Sequence, residues 1–168
     1  MNQKRDRVVV AHRVRSSGAW VLEARVYHSA GVGTRLGLFR ELPGETVPRV
    51  LGERVLTMLR EAARLADAPN VGGRPVDPVS AAVLAKWGEL SQMNQPSRAL
   101  RRFRIAEVIE RPGQVSWRVV QILPSRYLGC TTEGTVRRVK HSVGAEGLGL
   151  ALLSEGMDPS PEIETRLK

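Results

Sequence analysis

Polar and apolar side chains alternate along the N-terminal part of the chain. Residues 7–15 and residues 20–28 each place an apolar side chain at nearly every second position, with charged side chains between them. A period of two predicts half-buried β-strands. Residues 16–19 join the two runs and contain Gly18, which accepts the positive φ of a tight turn. We therefore predict an antiparallel hairpin, followed by a third strand over residues 34–40.

The period then changes to that of a helix. Apolar residues recur three and four positions apart over residues 50–66, which predicts an amphipathic helix of about five turns. Thr46 is predicted to cap this helix through its hydroxyl, and Pro48 is tolerated in the first turn. Asp77 precedes a proline and gives the same start signal for a second helix over residues 78–92.

Strand-like alternation returns at residues 101–110 and again at residues 115–123. Pro112 and Gly113 between them fit a type II turn, so a second antiparallel hairpin is predicted. A short strand is predicted over residues 136–140. The pattern as a whole indicates an α+β fold: an antiparallel sheet of two or three N-terminal strands, two central helices, and then the second hairpin.

The domain organisation is predicted to be simple. Residues 1–156 form a single basic domain, and residues 157–168, rich in proline and acidic side chains, form a flexible acidic tail. The two hairpins invite a repeat hypothesis, because Gly18 matches Gly113 at an offset of 95. At this offset Trp20 aligns with Val115 rather than with Trp117, so both a duplication and a chance resemblance can explain the similarity of the two hairpins.

Composition excludes several classes of protein. Among 168 residues Cys130 is the only cysteine, so no internal disulfide framework is possible. No apolar run approaches the ~18 residues of a membrane span, and the first residues lack the pattern of a signal peptide. We therefore expect a soluble cytoplasmic protein with no membrane partner.

The formal net charge of +9 is unevenly placed along the chain. Residues 1–60 carry 11 basic and five acidic side chains, and residues 96–140 carry ten and three. The segment between these basic blocks is nearly neutral, and the end of the chain is acidic. Such asymmetry indicates a polyanionic partner, although the ratio of 22 arginines to four lysines is also typical of a GC-rich genome.

Arginine presents a planar fork of donors that matches phosphate oxygens, so the arginines of the predicted strands and clusters are the candidate nucleic-acid contacts. Tyr27 is added to them because it shares a strand face with Arg25. The candidate set is Arg13, Arg15, Arg25, Tyr27, Arg98, Arg101, Arg102, Arg104, Arg118, Arg137, Arg138 and Lys140. With few exposed aromatics expected, phosphate contact rather than base stacking should dominate, for DNA or RNA.

The histidines carry less information. His12 shares its register with an apolar strand face, so we expect it to be buried and hydrogen-bonded. His141 lies beside a basic cluster, with Glu133 nearby, and is a weak candidate for the base of a metal-independent nuclease. No histidine or cysteine spacing typical of a metal site occurs, and no cofactor is implied.

The favoured hypothesis is a non-enzymatic nucleic-acid-binding protein that contacts phosphates through an arginine-rich sheet face. A protein–protein interaction module, either an assembly component or an inhibitor of a partner, is the alternative, since a basic face can also meet an acidic protein. A metal-independent nuclease is the third. Self-association is possible, because the edge of an exposed hairpin permits it.

Overall fold

The computed structural model describes residues 5–28, 33–67, 75–88, 100–124 and 131–155. Within these residues, six strands form one fully antiparallel sheet in the order β3-β2-β1-β4-β5-β6. The strands are β1 (Asp6–Val14), β2 (Trp20–Tyr27), β3 (Gly33–Leu42), β4 (Phe103–Glu110), β5 (Ser116–Pro124) and β6 (Thr131–Lys140). The helices that the structure describes in full are α1 (Pro48–Ala66), α2 (Pro78–Lys86) and α3 (Gly144–Glu155), the last preceded by a 3-10 turn at His141–Val143. Residues 100–102 are also helical.

The α+β class is confirmed, but the predicted arrangement is only partly correct. The sequence left open whether the two hairpins share a sheet, and they do, because Arg7–Val14 of β1 pairs with Phe103–Glu110 of β4 at the centre of a single sheet. Each hairpin has a third strand on its outer side: β3, which confirms the strand predicted over residues 34–40, and β6, which is longer than the strand predicted over residues 136–140. The pairing of β1 with β4 could not be predicted from local sequence patterns, because nearly a hundred residues separate the two strands.

The sheet consists of two similar halves. A shift of 97 positions, the interval from Trp20 to Trp117, carries β1-β2-β3-α1 onto β4-β5-β6-α3. The strand registers obey it: Ala11 pairs with Leu22 as Val108 pairs with Val119, and Trp20 pairs with Leu42 as Trp117 pairs with Val139. The predicted offset of 95 was therefore wrong, and at the corrected offset the two tryptophans coincide. We call the relation between the halves the pseudo-two-fold.

Helices α1 and α3 cover one face of the sheet and cross each other at very short range. A Cβ on Gly52 would overlap the carbonyl of Ala145, and a Cβ on Gly149 would overlap the carbonyl of Pro48. Gly52 and Gly149 are themselves 97 positions apart. The crossing is therefore a backbone-to-backbone contact that the pseudo-two-fold repeats.

The main hydrophobic core lies between these two helices and the sheet. Its largest fully buried members are Trp20, Leu22, Leu51, Met58, Leu59, Leu148 and Leu152. On the opposite face, Val83 of α2 and Trp87, which follows this helix, form a second cluster with residues of β1, β2, β3 and β4. That second layer is one reason why both faces of β1 and β2 are buried.

Helix α2 also protects one edge of the sheet. The Ser80 hydroxyl accepts a hydrogen bond from the Phe39 N–H at 2.8 Å and lies 3.2 Å from the Phe39 carbonyl. Asp77 caps α2 through the Ser80 N–H, as predicted, whereas α2 ends at Lys86 rather than near Gln92. Strand β3 thus does not offer this stretch of backbone to another strand.

Other details differ from prediction. The cap of α1 is Val47, while the Thr46 hydroxyl donates to the Pro43 carbonyl instead. Gly144–Glu155, for which no structure was predicted, is a helix. The predicted tail at residues 157–168 lies outside the described residues. None of the described helices is long and apolar enough to cross a membrane.

Candidate nucleic-acid interface

The pairing of β1 with β4 brings two distant groups of arginines together. Arg13 of β1 lies directly opposite Arg104 of β4, and the Arg15 N–H donates to the Arg102 carbonyl at 2.9 Å. Arg101 immediately precedes Arg102. These five residues, here called the arginine cluster, lie at the same end of the two central strands, with Arg13 against Trp20 on one face of the sheet and Arg102 against Trp87 on the other. The cluster contains residues from both basic blocks, residues 1–60 and residues 96–140, which are far apart in the sequence.

Uncharged groups orient several members of the cluster. The Arg13 guanidinium lies 5.1 Å from the centroid of the Trp20 ring, and that of Arg102 lies 5.0 Å from the Trp87 ring. The Arg15 Nε donates to a backbone carbonyl at 3.1 Å. The contacts of Arg13 and Arg15 position their guanidinium groups without cancelling their charge, so these two groups can still bind an anion.

The electrostatics of the cluster favour an anion. Partial burial and the neighbouring charge of Arg104 lower the pKa of Arg13 from its usual value. Like charges directly opposite each other on a sheet are destabilising, and a bound anion relieves their repulsion.

Three other predicted residues form a second basic surface. Arg118 of β5 lies opposite Arg138 of β6, and Lys140 lies opposite Ser116 at the end of the same strand pair. Arg138 and Lys140 are exposed, and Arg118 is half-buried. Arg118 lies on β5, two strands away from β1, and Arg138 and Lys140 lie on β6, three strands away from β1.

The remaining predicted residues are engaged elsewhere. Arg25 donates to Glu23 at 2.7 Å, the Tyr27 hydroxyl donates to Glu107, and Arg137 donates to the Ser154 hydroxyl at 2.9 Å. Arg98 lies outside the described residues. The structure therefore collects five of the candidate residues at one end of the central strands and distributes the others.

Sequence reasoning missed the polar network around Glu23. This carboxylate is fully buried and binds the guanidinium groups of both Arg25 and Arg35. Although burial alone would raise it, the pKa of Glu23 is lowered by these two arginines. Burial raises the pKa of Glu107, and burial together with the Glu107 carboxylate raises that of Tyr27. The alternation in β2 predicted that Glu23, Arg25 and Tyr27 face solvent, because a single-strand pattern does not show that both faces of β2 are buried.

Two of the histidines, His12 and His141, pack against neighbouring residues of the fold. His12 is fully buried, as predicted, and its Nδ1 lies 3.1 Å from the Val21 carbonyl. The His141 ring packs on Trp117 with 4.3 Å between ring centroids. Glu133 pairs with Ile122 near the start of β6, whereas His141 follows the end of that strand. The acid and the base of the nuclease hypothesis are thus not brought together.

A metal site requires several ligand side chains close together. In the described part of the chain, His, Cys, Asp and Glu side chains nowhere gather in a group of three or more that could hold a metal ion. No family model matches the sequence, and no curated protein is significantly similar to it.

Proposed function

We propose that this protein binds nucleic acid through the arginine cluster, by contact with backbone phosphates. The observation that carries the proposal is the pairing of Arg13 with Arg104, which brings arginines from two basic blocks to one end of the central strands. Neighbouring guanidinium forks can donate to phosphate oxygens. A cytoplasmic location, where nucleic acid is accessible, stays a prediction of the sequence.

Among the described residues, the positions of the aromatic rings favour phosphate contact over base stacking. Trp20 and Phe103 are buried, Trp87 is 7% exposed, and the Tyr27 hydroxyl is bonded to Glu107. Single-strand binders that read bases need exposed rings on which bases stack. Affinity should accordingly depend steeply on salt, because phosphate contacts release condensed counterions.

Fluorescence anisotropy with single- and double-stranded DNA and RNA, each at several salt concentrations, tests the proposal. Arg13→Gln and Arg104→Gln should each weaken binding and reduce the slope of log K against log salt by about 0.7–0.9. Arg111→Gln is the matched control, because Arg111 already pairs with Asp6 at 3.3 Å. Absence of binding at low salt, or binding that ignores salt, would refute the proposal.

A second candidate function, a protein–protein interaction module, is favoured by strand β6. Among the described residues β6 pairs only with β5, and nearly all its side chains are exposed. Val136 on this strand is 43% exposed, and Leu150 on α3 is 53% exposed. We propose as occupant a second copy of the chain, since an antiparallel β6 pair centred between Thr135 and Val136 sets Glu133 opposite Arg138 of the other copy.

Charge exchange tests this pairing. Glu133→Arg and Arg138→Glu should each weaken self-association in sedimentation equilibrium, because each sets like charges opposite each other across the interface. The double variant should restore it. A protein that stays monomeric at all concentrations, or a double variant as weak as the single ones, would contradict the model.

A further inference from the structure

One end of the central strands contains a complete group of three side chains. The Arg7 guanidinium donates to Glu110 Oε1 at 2.8 Å, and the Trp117 indole N–H donates to Glu110 Oε2 at 3.2 Å. A single carboxylate therefore satisfies a guanidinium and a buried indole nitrogen.

The pseudo-two-fold carries this group onto the other end of the same strands with one change. Arg7 corresponds to Arg104 and Trp117 to Trp20, but the position of Glu110 is taken by Arg13. Arg13 lies opposite Arg104, as Glu110 lies opposite Arg7. Where one half supplies a carboxylate, the other half supplies a second guanidinium.

The indole nitrogen of Trp20 shows the effect of this exchange. Trp20 is 1% exposed, and its Nε1 has no hydrogen-bond partner within the described residues. Buried N–H groups nearly always have an acceptor, and one without an acceptor calls for an explanation. The acceptor that serves Trp117 is the one that Arg13 has replaced.

We propose that an oxyanion, such as a phosphate group, binds between Arg13 and Arg104 and accepts the Trp20 indole N–H, in the role that the Glu110 carboxylate fills in the other half. The site deepens the proposed function if the phosphate belongs to a nucleic acid; free inorganic phosphate is the other source. Because the Arg13 guanidinium lies over the Trp20 ring and the indole nitrogen is buried, the anion reaches it only when the Arg13 side chain turns aside.

The indole N–H resonances of ¹⁵N-labelled full-length protein report this site directly. Trp→Phe variants assign the resonances of Trp20, Trp87 and Trp117. Titration with inorganic phosphate at constant ionic strength should move the Trp20 resonance saturably and leave that of Trp117 in place. A response that does not saturate, or that is equal for all three indoles, would mean an adventitious ion only and would overturn the proposal.

Variants of the two arginines sharpen the test. Arg13→Gln and Arg104→Gln should each weaken the phosphate response of Trp20 at least tenfold, whereas Arg118→Gln, on a different basic surface, should leave it unchanged. Arg13→Glu supplies the missing carboxylate from the chain itself. It should move the Trp20 resonance without phosphate, abolish the phosphate response and raise the melting temperature. A Trp20 resonance that still responds to phosphate in Arg13→Glu would contradict the site.

The same spectra separate the site from the proposed function. If phosphate moves Trp20 but oligonucleotides do not bind at low salt, the oxyanion site stands and nucleic-acid binding fails. If oligonucleotides bind through the arginine cluster while the Trp20 resonance stays in place, nucleic-acid binding stands and the oxyanion site fails.

Discussion

At the scale of single residues, His12 makes the stability of the protein depend on pH. Burial lowers its pKa from the usual 6.5 to about 4 in the folded state. The unfolded chain therefore binds the proton more tightly than the folded chain does. The stabilisation is fully present above pH 6.5 and is lost as the pH falls from 6.5 to about 4. A shift of this size corresponds to about 3 kcal/mol.

Replacing His12 isolates this contribution from that of the carboxylates. His12→Asn keeps an N–H donor for the Val21 carbonyl but cannot titrate. The free energy of unfolding in urea should differ between wild type and variant more at pH 7 than at pH 4.5. A constant difference across that range would show that His12 does not titrate in this window.

Glu23 is the residue whose loss should be most costly. Its carboxylate is fully buried and binds Arg25 and Arg35, so Glu23→Gln removes the negative charge that both guanidinium groups contact. Breaking a buried ion pair costs about 3–5 kcal/mol. Chemical denaturation measures this loss, and Glu53→Gln, at an exposed i,i+4 pair with Arg49, is a control that should cost under about 1 kcal/mol.

At the scale of elements, the crossing of α1 with α3 depends on two glycines. Gly52→Ala and Gly149→Ala each place a methyl group inside a backbone carbonyl of the other helix, where no side-chain rotation can relieve the overlap. Overpacking typically costs about 1–3 kcal/mol, and a rigid backbone contact should reach the upper end. Gly88→Ala, whose methyl group meets nothing within 4 Å, should be nearly neutral in thermal denaturation.

The edge of β3 depends on one hydroxyl. Ser80→Ala removes the acceptor of the Phe39 N–H in a fully buried position. A buried donor without a partner costs about 1–3 kcal/mol. We also expect faster hydrogen exchange at the Phe39 amide, which NMR can follow. An unchanged exchange rate would show that α2 shields this edge without Ser80.

The elements that sequence predicts well are those with a local signal. The alternation in β1 and β2 and the helical period of α1 came directly from side-chain order. Helix α3 could not be predicted, because Gly147 and Gly149 have poor helix propensity and only the close contact with α1 explains Gly149. The offset of the repeat was misjudged because turn glycines were aligned, whereas the registers align the tryptophans.

At the scale of the whole molecule, the sequence predicted which residues belong to the candidate site but not that they lie close together. Arg13 and Arg104 were both predicted contacts, yet their meeting requires a strand pairing between distant segments. Arg25 was misplaced among solvent-facing candidates because the burial of Glu23 beside it leaves no local trace. Long-range register and double-sided burial are properties of the assembled sheet, so single-strand patterns do not encode them.

Binding should stabilise the whole fold by mass action. An oligonucleotide that binds only the folded chain adds about 2.7 kcal/mol to the free energy of unfolding at 100 times its dissociation constant. Differential scanning calorimetry should therefore show a rise in melting temperature for wild type that shrinks for Arg13→Gln at the same oligonucleotide concentration. Equal rises in both proteins would place the binding surface away from the arginine cluster.

The central position of β1 has a consequence for synthesis on the ribosome. Its first neighbour, β2, follows it at once, but its other neighbour, β4, is made nearly a hundred residues later. At about 5–20 residues per second, the backbone N–H and C=O groups on one edge of β1 stay unpaired for some 5–20 s. During that interval β4 of another nascent chain is as good a partner as its own. Crowded polysomes should therefore favour strand-exchanged dimers of this protein.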